Sequence, residues 1–93
     1  MTPNEAEQLA AIQALTYAAH QQTGIPTAFS SFTTELDGRL NLHVSVTIMP
    51  EGEKPWSMNS SNSPYRSEGE TTLEGLRDRL AAWIPEHRKQ EAA

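Results

Sequence analysis

The spacing of apolar and polar positions divides the chain into a helix, three strands and a second helix. From Pro3 to Gln22, the residues Leu9, Ile12, Leu15, Thr16 and Ala19 recur every three or four positions, which places them on one helical face. Thr2 stands at the N-cap position, Pro3 at the first helical position and Glu5 three residues after Thr2, a Thr-x-x-Glu capping box. Gly24 supplies a C-terminal stop. From Arg39 to Met49 the period changes to two. Leu40, Leu42, Val44, Val46 and Ile48 point one way, and Asn41, His43, Ser45 and Thr47 the other. Thr27 to Glu35 forms the strand before it, and Trp56, Met58 and Ser60 alternate with Ser57, Asn59 and Ser61 in a short third strand. A second box, Thr71-x-x-Glu74, opens a helix with the stripe Leu73, Leu76, Leu80 and Trp83, joined by Ile84 and stopped or kinked by Pro85.

Register within the first hairpin is the one ambiguous step. A two-residue Asp37-Gly38 turn is the strong local signal, but it pairs Thr33 with Leu42 and sends Phe32 to the polar face. A three-residue loop, Leu36-Asp37-Gly38, pairs Glu35 with Arg39 and Phe32 with Leu42. That loop puts Ala28, Phe32 and Thr34 behind the apolar face of the second strand. A one-residue slip flips every side chain, so facial consistency favours the longer loop. The expected fold class is α+β: a two-layer α-β-β-β-α arrangement, with a three-stranded antiparallel meander and both helices packed on one face. Residues 1–85 form the single domain and 86–93 a polar C-terminal tail.

Composition tests whether such a core is affordable. Leu, Ile, Val and Phe make up 16 of 93 residues, a fraction that borders on the disordered class when net charge is high. The net charge is only −5, and nearly every large apolar residue falls on a face that can meet the others. There is no cysteine, so neither a disulfide nor a thiolate metal site braces the fold. No apolar run reaches membrane-spanning length and the acidic N-terminus lacks a signal layout, so a cytoplasmic protein that does not enter the membrane is expected. Residues 1–38 contain no Lys or Arg, which disfavours binding to phosphate backbones.

The chemistry legible in the residues is that of binding. With the longer loop, the open sheet face carries Phe29, Ser31, Thr33, Asn41, His43, Ser45, Thr47, Ser57 and Asn59. Phe29 is its apolar anchor, and His43, flanked by Ser31 and Ser45, lies near its centre. Tyr65 and Arg66 are the anchors of a recognition loop within the polar stretch Ser60–Ser67. The third strand presents an edge for pairing with another chain. His20, His43 and His87 lack a ligand spacing, there is no phosphate loop or nucleophile elbow, and no acid is placed to orient His43. No enzyme activity, metal or cofactor is therefore expected. The expected function is that of a small acidic protein–protein interaction module, of the kind bacterial and phage accessory or regulatory genes encode. Its partner would be another protein, or a second copy bound through the open face or the edge strand. An alternative is an inhibitor mimicking nucleic acid, which requires Glu51, Glu53, Glu68, Glu70 and Glu74 to share one face.

The helix–three strands–helix order across residues 3–84 resembles the double-stranded RNA-binding domain. The resemblance implies that fold, and RNA contact along the first helix and at a basic cluster opening the second. The matching stretch, Ser67-Glu68-Gly69-Glu70-Thr71-Thr72-Leu73-Glu74, holds three acids and no base, and the first helix has no cation. RNA binding would then be lost or altered here, because phosphate recognition depends on cations. Gly69 to Leu76 is also similar to a capped-helix string found in many small domains, including antitoxins resembling HicB.

Overall fold

The computed structural model describes residues 2–89. Helix α1, Pro3–Thr23, starts at the Thr2 cap, whose hydroxyl accepts from the Glu5 N–H at 3.1 Å. The Glu5 carboxylate does not complete the box; it accepts from Asn62 Nδ2 at 2.8 Å and so ties α1 to a distant loop. Strands β1, Thr27–Leu36, and β2, Arg39–Ile48, form the hairpin, and β3 is Trp56–Ser61. A two-residue strand, β4 (Glu70–Thr71), precedes helix α2, Leu73–His87. The fold is α+β, as expected, and its sheet has the order β1-β2-β3-β4. The first three strands form the antiparallel meander; β4 adds parallel to β3 and makes the sheet mixed.

The hairpin register differs from the expected one. Leu36 pairs with Arg39 across a two-residue turn, with Asp37 at φ 52° and Gly38 at φ 73°. Two positive φ values mark the turn type whose twist matches that of the flanking strands. Phe29 therefore pairs with Val46, Ser31 with Val44 and Thr33 with Leu42, all on the helix side, while Phe32 pairs with His43 on the open side. Facial consistency could not decide, because Phe29 and Phe32 have opposite parity and either register turns one phenylalanine inward. Phe29 is the one that packs against the core, and Phe32 is 57% exposed.

Both helices lie on the apolar face of the sheet. Ile12 and Ala19 of α1, Val44, Val46 and Ile48 of β2, Met58 of β3, and Leu76 and Leu80 of α2 form the fully enclosed centre. Leu9, Leu15 and Trp56 close its margin. Leu40, also assigned to the core from its parity, is 60% exposed, because it lies at the hairpin tip. The helices are joined by Arg77 Nη1 donating to Gln8 Oε1 at 2.7 Å.

Helix α2 opens one residue later than the capping box suggested. Thr71 is committed to β4, opposite Ser60, so Thr72 becomes the cap and accepts from the Gly75 N–H at 3.0 Å. The helix also continues through Pro85 to His87, since a proline in the last turn removes only one hydrogen bond near its end. The His87 ring stacks on Trp83 with centroids 4.4 Å apart. Beyond it, the Lys89 N–H donates to the Gln22 carbonyl at 2.8 Å, so the start of the tail is docked on the end of α1. The remainder of the expected tail, 90–93, lies outside the described residues.

Candidate binding surface on the open sheet face

The face away from the helices is built by alternate residues of each strand. Ala28, Ser30, Phe32 and Thr34 occupy the β1 positions that Phe29, Ser31 and Thr33 were expected to fill. His43, Ser45 and Thr47 hold their expected positions on β2, and Ser57 and Asn59 theirs on β3. Phe29 and Ser31 therefore leave the candidate open-face site, displaced by the two-residue turn, whereas His43 and Ser45 remain in it.

The face has two different halves. Towards the strand ends remote from the hairpin turn it is a ladder of small polar groups. Ser45 Oγ donates to Asn59 Oδ1 at 2.7 Å, and the Thr47 and Ser57 hydroxyls are 2.9 Å apart. Towards the turn it carries rings and charge. The Phe32 ring lies flat on the His43 imidazole, with centroids 4.6 Å apart and planes 7° from parallel. His43 Nε2 is hydrogen-bonded to Thr34 Oγ1 at 2.8 Å, and the Glu70 carboxylate stands 3.5 Å from Nδ1. With the Nδ1 proton facing that carboxylate, Nε2 accepts from the threonine hydroxyl.

Glu70 is the acid that sequence reasoning did not supply. It reaches His43 through β4, a strand of two residues with no hydrophobic periodicity to announce it. The Ser67 N–H donates to Glu70 Oε1 at 2.8 Å, and this bond, with the smaller influences of the Ser67 side chain and His43, holds the carboxyl below the usual glutamate range. Thr34, His43 and Glu70 thus form a chain of polar contacts across the open face, from β1 through β2 to β4.

Beside this chain, the loop after β3 is fixed in place. The Leu42 N–H donates to Asn62 Oδ1 at 2.7 Å, while the Asn62 N–H donates to the Leu42 carbonyl at 3.1 Å. The Ser63 N–H donates to Ser61 Oγ at 3.0 Å and the Tyr65 N–H to Ser63 Oγ at 3.1 Å, turning the chain twice in succession. Tyr65 is left 82% exposed at the tip of this hydrogen-bonded loop. Between that loop (Ser63, Pro64, Tyr65) and the hairpin turn (Leu36, Asp37, Arg39, Asn41) lies an open groove of about 280 Å³. Arg66 does not share it. Its Nε donates to the Ser61 carbonyl at 3.2 Å, and its side chain borders a separate groove with Asn4, Glu5 and Gln8. The two expected loop anchors are therefore split between surfaces.

The five glutamates of the alternative reading are dispersed. Glu70 is on the open face, Glu68 lies in the turn before β4, Glu74 pairs with Arg77 on α2 at 3.8 Å, and Glu51 and Glu53 lie in the β2–β3 turn. Among the described residues, no helix is long and apolar enough to cross a membrane, and no three His, Asp or Glu side chains gather as metal ligands. No protein-family model, curated protein or solved structure matches the chain.

Proposed function

We propose that this chain is a small non-enzymatic protein-binding module of the cytoplasm, which recognises an extended peptide segment in the groove between its hairpin turn and the Ser63–Tyr65 loop. The observation that carries this reading is the presence of three large exposed side chains at one end of one sheet face. Tyr65 and Leu36 (54% exposed) line a groove with Arg39 and Asp37 on its wall, and Phe32 is exposed farther along the same sheet face. Aromatic and arginine side chains on a rigid support are the composition of interface hot spots. The loop is braced by its own hydrogen bonds, so binding would cost little ordering entropy. His43 and Glu70 then act as props: one supports the Phe32 ring from beneath, the other orients the imidazole.

The reading is tested by selecting peptides from a displayed library against the whole protein, with the Tyr65→Ala and Leu36→Ser variants as counter-selections. Peptides that bind the wild type and lose at least about tenfold in affinity against each variant are expected. A library that yields no binder, or binders indifferent to both substitutions, would rule the groove out. Self-association through the sheet was the other expected mode. The far half of the β3 edge is covered by β4, which leaves β1 as the long open edge.

A further inference from the structure

Strand β1 lacks the features that normally protect a sheet edge. It is ten residues long, has no neighbour on its outer side among the described residues, and from Thr27 to Thr34 contains no charge and no proline. Natural edges are usually short, charged, bulged or interrupted by proline, because a bare row of N–H and C=O groups pairs with any strand it meets.

The turn fixes which groups are bare. Leu36 and Arg39 flank the two-residue turn, so they exchange the closely spaced pair of hydrogen bonds. The same phase reaches the far end of the ladder, where the Met49 N–H donates to the Pro26 carbonyl at 2.9 Å. Ala28, Ser30, Phe32 and Thr34 thus point their backbone groups at β2, and Phe29, Ser31 and Thr33 point theirs outward.

We infer that two copies of this chain pair antiparallel through β1 about a two-fold axis at Ser31, joining their sheets into one. In that register Phe29 faces the partner's Thr33, and Thr27 faces the partner's Glu35, so no charge meets a like charge across the junction. Two further features fit a second copy. First, α1 covers only the start of β1: the Thr27 hydroxyl donates to the Thr16 carbonyl at 2.7 Å, whereas Ser31, Thr33 and Glu35 are exposed on the helix side. Antiparallel pairing sets this bare strip beside the α1 helix of the other copy, from which Tyr17 projects, 69% exposed. Second, the partner's turn, with its acids Glu35 and Asp37, arrives at the end of α1. There His20, Tyr17 and Lys89 border an open groove, contiguous through Tyr17 and His20 with another along Thr27 and Phe29. Acids thus meet the cationic end of a helix pair. The inference does not depend on the peptide groove, although both use the turn residue Asp37, and the Tyr65→Ala variant leaves it untouched.

Sedimentation equilibrium and light scattering across concentration test it directly. The wild type is expected to approach twice the 10.3 kDa chain mass by high micromolar concentration. Ser31→Pro removes an outward N–H that nothing within the chain uses, and Ser31→Lys opposes two cations at the axis. Each is expected to raise the dimer dissociation constant by at least about tenfold with an unchanged far-ultraviolet spectrum. Lys89→Glu should weaken pairing in the same direction. Should the Ser31 variants not fold, hydrogen exchange of the wild type decides: the Ser31 amide is expected to slow as concentration rises. A monomer at every concentration, a dimer that folded Ser31 variants leave intact, or Ser31 exchange independent of concentration would each overturn the pairing.

Discussion

Gly75 and Glu70 show how single positions report the fold. A Cβ at Gly75 would collide with the Thr71 hydroxyl, because β4 runs directly into the capped turn of α2. Alanine at an ordinary helical glycine stabilises by about 1 kcal/mol. Here Gly75→Ala is expected to destabilise by about 1–3 kcal/mol in urea unfolding, and Thr71→Ala in the same chain to restore much of the loss. Glu70 gives a pH signature. Its folded-state carboxyl is held below its ordinary value, chiefly by the Ser67 N–H, so the folded state releases that proton more readily than the unfolded chain. The resulting stability is present above the ordinary glutamate pKa and lost as pH falls through the lower, folded-state value. Denaturation midpoints from neutral to acid pH should show this loss, and Glu70→Gln should flatten it. Neither effect was legible beforehand. The strand that approaches Gly75 consists of two polar residues without a periodic signal.

The hairpin is the element where pattern and turn chemistry disagreed, and the turn prevailed. The alternation on β2 was legible because from Leu42 to Ile48 every second side chain is buried against the helices. On β1 the helix-side positions beyond Phe29 touch no helix, so burial could not select a register and the positive-φ Asp37-Gly38 pair did. The register makes a clear distinction between two chemically identical residues. Phe29→Ala should cost about 2–3 kcal/mol of folding stability, and Phe32→Ala below about 1 kcal/mol, measured by chemical denaturation. The reverse order of costs would indicate the three-residue loop. The loop after β3 is a second case. Asn62→Ala leaves the Leu42 N–H without its side-chain acceptor and frees Glu5, and should destabilise by about 1–3 kcal/mol.

For the molecule as a whole, the sparse core and the elongated form belong together. The radius of gyration is 14.3 Å, against about 12 Å for a compact domain of this length, and the longest dimension is 56 Å. The hairpin tip, with Leu36 and Leu40 exposed, is the part of the sheet that the helices leave uncovered. Both helices, the meander and most of the core were legible, because capping residues and a period-two strand leave few alternatives. The location of the binding surface was not, since it depends on the register and on β4. If β1 pairs as inferred, part of the native stability resides in the assembly. The thermal midpoint should then rise with concentration between about 10 and 500 µM in calorimetry, and stay constant in Ser31→Pro.

The ties between residues far apart in sequence also determine when this fold can form during synthesis. Gln8 waits for Arg77, Glu5 for Asn62, and the carbonyl and side chain of Gln22 for Lys89 and Arg88. Helix α1 is made before the strands and α2, yet its apolar stripe finds no complete partner until α2 has been translated. The hairpin needs only its own neighbours and forms while the ribosome is still at work. For that interval the nascent chain presents a finished strand, uncharged from Thr27 to Thr34, beside an unfinished core. On a crowded polysome, the same edge that serves two mature copies would be the first place for two incomplete ones to meet.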